Sequence, residues 1–229
     1  MRKKIYLFIL CIVFIGFHSY AQNYWLTEHE FYEEYEEVLA GAAEAHPEND
    51  PLDGGFLICG FGGFTRHISL LFRIDRYGNE LWRKDINDLS IIPPYGAPKA
   101  AHYTDDGNFL VGGNFGLMKI NSETGEEMWD STGTLGAIHY IEKYNTNKFL
   151  IIQGEWHRCY TIEISNDIVN VLSSHDFGDN WQNFCAKLTT DNKFIFSGEW
   201  EKEENNYDLT LCRTDVDNLE FDNYFGNHG

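Results

Sequence analysis

An eight-residue segment recurs four times along this 229-residue chain, and no other sequence feature restricts the fold as strongly. The first two copies read DGGFLICG and DGNFLVGG, and two looser copies follow them. Each copy is centred on a phenylalanine: Phe56, Phe109, Phe149 and Phe194. These phenylalanines are 53, 40 and 45 positions apart, a spacing typical of folds in which each repeat forms one small sheet.

A second motif follows each copy, a short apolar strand that ends in a turn-forming or small polar residue. Its copies lie at 71–75, 117–121, 161–165 and 211–215. Turn-forming Asp, Asn and Gly residues come next in the first two repeats, and Leu81-Trp82 and Met128-Trp129 then begin a further strand. Each repeat therefore predicts four short antiparallel strands joined by hairpins.

A four-stranded twisted sheet cannot bury both of its faces alone, so successive sheets must stack on one another. Radial stacking around an axis predicts an all-β fold, a β-propeller of about four four-stranded antiparallel blades. The third repeat lacks the leading Asp-Gly pair and has an extra residue between Phe149 and Gly154, which predicts a β-bulge. The predicted repeats occupy about 46–90, 97–132, 136–175 and 183–226.

The segments DGGFLICG, LLFRIDRYGNELW and DGNFLVGG resemble the repeats of secreted bacterial quinoprotein-like (PQQ-like) β-propellers. The resemblance covers residues 53–225 and implies the propeller fold rather than a particular activity. Members of that family commonly have more than four blades, and Tyr224-Phe225-Gly226 is similar to the start of a further repeat. The chain is thus expected to be a small closed propeller or a partial one.

Residues 1–21 have the pattern of a secretory signal peptide. Three basic residues precede an apolar run from Ile5 to Phe17, and small residues at Ser19 and Ala21 mark a cleavage site before Gln22. We therefore expect an exported protein that is periplasmic, at the cell surface or extracellular. No insertion into the membrane is expected after the signal is removed, because no later apolar run is longer.

Residues 22–45 form an acidic segment ahead of the propeller repeats at 46–229. Apolar residues recur at helical spacing between Thr27 and Leu39, and Thr27 with Glu30 has the pattern of a capping box. The segment therefore predicts a short helix.

The charge of the chain restricts its partners. The whole chain has 17 basic and 36 acidic residues, a net charge of −19, and removal of the three basic residues of the signal leaves 14 against 36, or −22. Nucleic acids need clustered Lys and Arg, so they are excluded as partners. A protein or a glycan remains as the expected ligand, and self-association is expected if the propeller is open.

Strand direction alternates within a blade, so the connections between second and third strands and between successive blades fall at one end, which we call the loop face. Predicted long connections at this end are 61–68, 87–99, 155–159, 173–183 and 199–208. Two equivalent segments there read Gly-Glu-Trp, and the aligned aromatic of the second repeat is Phe115. The candidate ligand-binding residues are therefore Glu155, Trp156, Glu199, Trp200 and Phe115, because aromatic faces beside carboxylates hold sugars or peptides. The alternative, which burial preferences favour, is that these aromatics pack between blades.

No catalytic motif is found, and no cofactor or metal is expected. A metal site formed by His46, His102 and His139 near the axis is less favoured than ordinary strand-end histidines. The mature cysteines match no metal motif, and buried free thiols are favoured over disulfides.

We therefore expect a non-catalytic exported binding or scaffold module. The alternatives are a propeller enzyme and a truncated repeat protein without independent activity. The enzyme would be carbohydrate-active, with Glu155 and Glu199 as the carboxylate pair. Alternatively it would be quinone-dependent, which the family resemblance alone implies.

Overall fold

The computed structural model describes residues 37–48, 50–62, 68–86, 97–131, 135–154, 158–178, 181–203 and 206–220. Within these ranges the chain forms fifteen β-strands in four antiparallel sheets, each built from strands that are consecutive in sequence. We call the sheets blades 1 to 4 in chain order. The prediction of an all-β chain with about four antiparallel blades is confirmed.

The strands of each blade pair in the order in which they occur along the chain. Blade 1 contains β1 (Glu37–Ala45), β2 (Gly55–Gly62), β3 (Ile68–Ile74) and β4 (Glu80–Asp85). Blade 2 contains β5 (Pro98–Tyr103), β6 (Phe109–Gly113), β7 (Gly116–Ile120) and β8 (Glu127–Asp130). Blade 3 contains β9 (Ile138–Asn145), β10 (Lys148–Gln153), β11 (Arg158–Ser165) and β12 (Ile168–Asp176). In blade 4 the described strands are β13 (Trp181–Leu188), β14 (Lys193–Glu203) and β15 (Asn206–Asp215).

The strand β1 corrects the prediction for the end of the acidic segment. Residues 37–39 were expected to end a helix, but they belong to β1 and pair with β2. Ala43 and Ala45 are buried while Glu44 is exposed, which is the two-residue alternation of a strand. The backbone ladder to β2 has overridden the helical spacing, and blade 1 begins ahead of the expected boundary at residue 46. The rest of the predicted helix, 27–36, lies outside the described residues, as does the predicted signal peptide.

The turns opposite the loop face are tight, as predicted. Tyr77 and Asn79 each donate a backbone N–H to Asp75 Oδ1 at 2.8 Å. Burial tends to raise the pKa of Asp75, but the hydrogen bonds from Asn79 and Tyr77 outweigh it and hold the pKa below its ordinary value. In blade 2 the backbone N–H of Thr124 donates to Asn121 Oδ1 at 2.9 Å. Side-chain oxygens of Asp and Asn thus close both turns.

The β-bulge predicted for the extra residue between Phe149 and Gly154 does not lie in the repeat segment. The register between β9 and β10 shifts between Lys148 and Phe149 and again between Ile152 and Gln153. The unpaired residues lie in β9, at Tyr144 and His139, while β10 pairs with β11 without a shift. The bulges are therefore in the neighbouring strand rather than in the repeat segment itself.

The blades stack face to face in sequence order. The first strands of successive blades, β1, β5, β9 and β13, contact one another in turn. A separate apolar core lies at each junction, and we call the face of a blade toward the next one its trailing face and the opposite face its leading face. At the first junction, Leu57 and Leu71 of blade 1 pack with Val111 and Met118 of blade 2.

Charged side chains also cross the junctions. Lys119 of blade 2 donates to Asp106 of its own blade at 2.6 Å and to Asp167 of blade 3 at 3.3 Å. Its side chain is almost fully buried. Burial tends to lower the pKa of Lys119, but its hydrogen bond to Asp106 outweighs this and the pKa is raised. Lys119 therefore remains a cation that ties the second blade to the third.

Candidate binding site on the loop face

In blade 3 the strand β10 ends at the loop face, and Gly154 is the first residue after it. A Cβ atom built on Gly154 would lie 2.0 Å from Nδ1 of His139, so the backbone passes directly against the imidazole ring. Only glycine permits this approach. The backbone N–H of Gly154 also donates to the carbonyl oxygen of Ala137 at 3.1 Å. The chain that leads into Glu155 and Trp156 thus leaves the blade from a fixed position, and these two residues lie outside the described residues.

Two basic residues, Lys99 and His139, lie near Gly154 on the first strands of blades 2 and 3. The Nζ atom of Lys99 on β5 is in hydrogen-bond contact with Nε2 of His139 on β9. His139 is exposed. A lysine ammonium group can only donate, so Nε2 of His139 accepts in this arrangement. The contact joins the first strands of blades 2 and 3 at the loop face.

Two side-chain contacts hold the strands on either side of residues 155–157. Tyr160 donates its hydroxyl to Oε1 of the buried Gln153 at 3.2 Å. Nε of Arg158 donates to Asp176 Oδ2 at 2.8 Å, joining the ends of β11 and β12. The hydrogen bond from Arg158 and that from the backbone of Gly178 hold the pKa of Asp176 below its ordinary value. This carboxylate is accordingly ionised at neutral pH.

Blade 4 extends further at the loop face than blades 2 and 3 do. After the repeat phenylalanine, the second strand continues for four residues in β6, four in β10 and nine in β14. Glu199 and Trp200 therefore lie within β14, not in a loop. Glu199 pairs with Gln182 and Leu209, and Trp200 pairs with Trp181 and Asp208.

This arrangement corrects two predicted long connections. The segment 199–208 is almost entirely strand, with β15 beginning at Asn206, and the segment 173–183 contains the end of β12 and the start of β13. Antiparallel strands can continue wherever their backbone groups pair, as those of β14 and β15 do here. We call residues 199–203 and 206–210 the blade 4 hairpin.

The side chain of Phe115, the third aromatic candidate, packs between two blades. Its side chain is 3% exposed and belongs to the core between blades 1 and 2. The tight connection between β6 and β7 folds the Phe115 ring back onto the blade. The ring lies so close to Gly113 that a Cβ atom on this glycine would be 2.5 Å from it. Phe115 is therefore a core residue, and it is removed from the candidate ligand-binding residues Glu155, Trp156, Glu199 and Trp200.

The three histidines considered for a metal site have separate surroundings. His46 contacts the ring of Tyr103, with ring centroids 5.9 Å apart, and His102 contacts Phe149 at 5.8 Å. His139 contacts Lys99. Within the part of the chain that the structure describes, no group of three or more His, Cys, Asp or Glu side chains is placed to hold a metal ion. Among those same residues, no helix has the length and apolar character needed to cross a bilayer.

No protein-family model and no curated protein sequence matches the chain. Solved structures do match. A protein of unknown function from Bacteroides caccae has a TM-score of 0.51 and 15% identity, over 86% of this chain and 62% of its own. The β-propeller domain of Myceliophteria thermophila Cps50 (Swd1) has a TM-score of 0.52 and 13% identity, over 73% of this chain and 56% of its own. Chaetomium thermophilum Sqt1 has a TM-score of 0.54 and 12% identity, over 79% of this chain and 44% of its own.

At these identities the likeness concerns the fold alone, and the fold is that of a β-propeller. The chain spans between 44% and 62% of the length of these three structures.

Sequence reasoning missed the close approach of Gly154 to His139 within blade 3. It also missed the contact of His139 with Lys99, because that contact depends on the packing of two blades. It also missed the blade 4 hairpin. A signal was present in Asn205-Asn206, a pair of turn-forming residues that marks the end of β14.

Proposed function

We propose that the chain is an exported, non-catalytic β-propeller that binds a protein or a glycan on its loop face. The observation that carries this proposal is the blade 4 hairpin, which continues past the equivalent strands of blades 2 and 3. It brings Glu199, Trp200 and Asp208 to paired positions on adjacent strands. Functional residues concentrate at such variable ends of a rigid scaffold.

The residue types of the hairpin fit a ligand with both flat and polar surfaces. A tryptophan supplies area for stacking on a sugar ring or an apolar side chain, and carboxylates accept hydrogen bonds from hydroxyl groups or cations. The Gly-Glu-Trp motif of the third repeat adds Glu155 and Trp156 to the proposed ligand-binding residues. Lys99 of blade 2 and His139 of blade 3 add an amine and an imidazole at the junction of those two blades. We assign the repeats to the quinoprotein-like type on the strength of the DGGFLICG and DGNFLVGG segments.

The predicted export of the chain and its net charge support the proposed function. The segment 1–21 directs the chain out of the cytoplasm, and a net charge of −22 on the mature chain favours solubility. It also disfavours anionic surfaces as partners. A neutral glycan or a protein with basic side chains is the ligand class that suits this surface.

The test is a binding screen of the mature chain against arrays of neutral oligosaccharides and of basic peptides, followed by calorimetry with each hit. Trp200→Ala should weaken binding by at least about tenfold, or about 1.4 kcal/mol, as expected for a central aromatic contact. Glu199→Gln should weaken it less, because a neutral acceptor remains. The matched control is Tyr77→Ala, an exposed aromatic in a tight turn at the opposite end of blade 1, which should leave affinity unchanged.

Three results would contradict the proposal. Equal binding by the Trp200→Ala and wild-type chains would place the ligand elsewhere, whereas a lower melting temperature of Trp200→Ala would indicate a packing role. Hydrolysis of a bound oligosaccharide that Glu155→Gln and Glu199→Gln abolish would show a carbohydrate-active enzyme instead.

A further inference from the structure

The junction between blades 1 and 2 contains three buried polar atoms that have no hydrogen-bond partner among the described residues. They are Oδ1 of Asp50, Nε of Arg73 and the hydroxyl oxygen of Tyr103. The side chains of Asp50 and Arg73 are completely buried, and Tyr103 is 3% exposed. A buried polar atom without a partner is costly, so nearly all such atoms in folded proteins are satisfied. Three of them in one junction therefore indicate a shared partner.

The three side chains lie close to one another. Nη2 of Arg73 donates to Oδ2 of Asp50 at 2.6 Å, so these two residues form one contact. The guanidinium of Arg73, on the trailing face of blade 1, lies 5.2 Å from the centroid of the Phe109 ring on the leading face of blade 2. The ring of Tyr103 meets the same Phe109 ring, with centroids 5.1 Å apart. The charge pair and the tyrosine thus pack against one aromatic ring.

The hydroxyl of Tyr103 is within electrostatic reach of the charge pair. The pKa of Tyr103 is raised to about 12, first by burial and then by the negative charge of Asp50, while the positive charge of Arg73 opposes the rise. The tyrosine is therefore protonated at neutral pH. Its hydroxyl can donate one hydrogen bond and also accept one.

Comparison with the junction between blades 3 and 4 links the tyrosine to the charge pair. The strand registers place Thr161 of blade 3 at the position of Arg73, and Leu188 of blade 4 at the position of Tyr103. The junction that lacks the arginine thus has an apolar leucine in place of the tyrosine. This correspondence indicates that the hydroxyl of Tyr103 serves the buried charge pair.

The chemistry of the three atoms selects an uncharged ligand that both donates and accepts. Nε of Arg73 can only donate, and Oδ1 of the Asp50 carboxylate can only accept. A bound anion would lie against this carboxylate, and a bound cation would lie against the guanidinium. Water can accept from Arg73, donate to Asp50 and share a hydrogen bond with Tyr103. A buried water typically makes about three hydrogen bonds, which equals the number of atoms available.

We infer that one water molecule is bound between blades 1 and 2, with Asp50, Arg73 and Tyr103 as its ligands. It joins the turn after β1, the strand β3 and the end of β5 in one hydrogen-bond network. The site lies at the end of the blades opposite the loop face, so the inference is independent of the ligand proposed for that face.

The first test is urea unfolding of Tyr103→Phe. If the hydroxyl binds the water, its removal should lower the equilibrium constant for folding by about fivefold or more. A hydroxyl without any partner would instead impose a desolvation cost, and its removal would raise the constant. The matched control is Tyr77→Phe, an exposed tyrosine whose hydroxyl accepts from Arg76, and it should change the constant by less than about twofold.

The second test observes the water directly and needs no variant. A crystal structure of the chain from Gln22 to Gly229 should show one isolated density peak within about 3.2 Å of Asp50 Oδ1, Arg73 Nε and the Tyr103 hydroxyl. The crystal structure remains decisive if Tyr103→Phe does not fold.

Three outcomes would overturn the inference. The first is a crystal structure without a density peak between these three atoms, and the second is a direct hydrogen bond from Tyr103 to Asp50 in that structure. The third is a Tyr103→Phe chain that is as stable as the wild type or more stable.

Discussion

Nη2 of Arg73 donates a hydrogen bond of 2.6 Å to Oδ2 of Asp50, and both side chains are fully buried. The same carboxylate oxygen accepts the backbone N–H of Gly54 at 2.7 Å, and Arg73 also donates to the carbonyl oxygens of Gly54 and Ile74. Burial lowers the pKa of Arg73, and the charge of Asp50 opposes this effect. The turn between β1 and β2 is thus tied to β3 by a charge pair without access to bulk water.

Asp50→Asn should destabilise the fold strongly. The substitution leaves the guanidinium of Arg73 buried without a counter-charge, and removal of one member of a buried pair costs about 3–5 kcal/mol. The measurement is the free energy of unfolding in urea. The control is Asp53→Asn, which removes the exposed 3.2 Å pair with Arg76 and should cost about 1 kcal/mol or less. Similar losses in the two variants would contradict a special role for the buried pair.

Gly112→Ala should destabilise the junction between blades 2 and 3. A Cβ atom on Gly112 would lie 2.4 Å from Cγ2 of Ile138, a distance that requires the inner strand β9 to move. Overpacking of this kind costs about 1–3 kcal/mol. Urea unfolding of the variant measures the loss.

A double-mutant cycle with Ile138→Ala isolates the steric cause. Ile138→Ala alone should cost about 2–5 kcal/mol, because it empties part of the core. The double variant should lose less than the two single variants together, since the space vacated by Ile138 receives the new methyl group. Strict additivity would show that the cost of Gly112→Ala comes from the backbone and not from Ile138.

Much of this fold could be predicted because the repeats carry their own turn chemistry. The pairing of β6 with β7 and the turn at Asn121 follow from the DGNFLVGG segment and the Asn and Gly residues after it. The strand β1 could not be predicted in the same way. Its apolar residues are mostly alanines, and those at Val38 and Leu39 also fit a helix, so only the ladder to β2 decides between the two.

The shape of the candidate site could not be predicted from the sequence. The two Gly-Glu-Trp segments start just after β10 in blade 3 and inside β14 in blade 4. Sequence equivalence between Gly154 and Gly198 nevertheless hides a structural difference, because the strand ends before Gly154 in blade 3 and continues past Gly198 in blade 4. Which of two equivalent aromatics is buried also depends on neighbouring blades, as Phe115 shows, and such contacts are absent from any local pattern.

The four described cysteines are free thiols, in agreement with the favoured prediction, and they should differ in reactivity. Cys59 and Cys159 are buried, and burial raises the pKa of Cys59 to about 12. Burial likewise raises the pKa of the half-buried Cys212 to about 12. Because the thiolate is the reactive form, only Cys185 should react rapidly in the native chain.

A disulfide-exchange reagent that releases a coloured thiol measures this difference. The chain from Gln22 to Gly229 should show one fast thiol without denaturant and four in denaturant, and Cys185→Ser should remove the fast reaction. Fewer than four thiols in denaturant would mean that some of the cysteines are paired.

His102 should make the fold less stable in mild acid. Its Nδ1 donates to the carbonyl oxygen of Tyr103 at 2.8 Å, and its ring meets the edge of Phe149 across the junction of blades 2 and 3. Burial lowers the pKa of His102 below its ordinary value of about 6.5. The unfolded chain then binds the proton more readily than the folded chain does. The contribution of His102 to stability is therefore complete above about pH 6.5 and is lost progressively as the pH falls toward its folded pKa.

Urea unfolding of the wild-type and His102→Asn chains between about pH 8 and pH 5 tests this prediction, because the variant keeps a donor near Nδ1 but does not titrate. The stability of the wild-type chain should fall more steeply with acid than that of the variant. The variant should retain some slope, since burial also lowers the pKa of His175. Carboxylates such as Asp106, whose pKa is lowered, lose their contribution only at more acidic pH and do not obscure the comparison. Parallel curves for the two chains would show that His102 is protonated equally well in the folded and unfolded states.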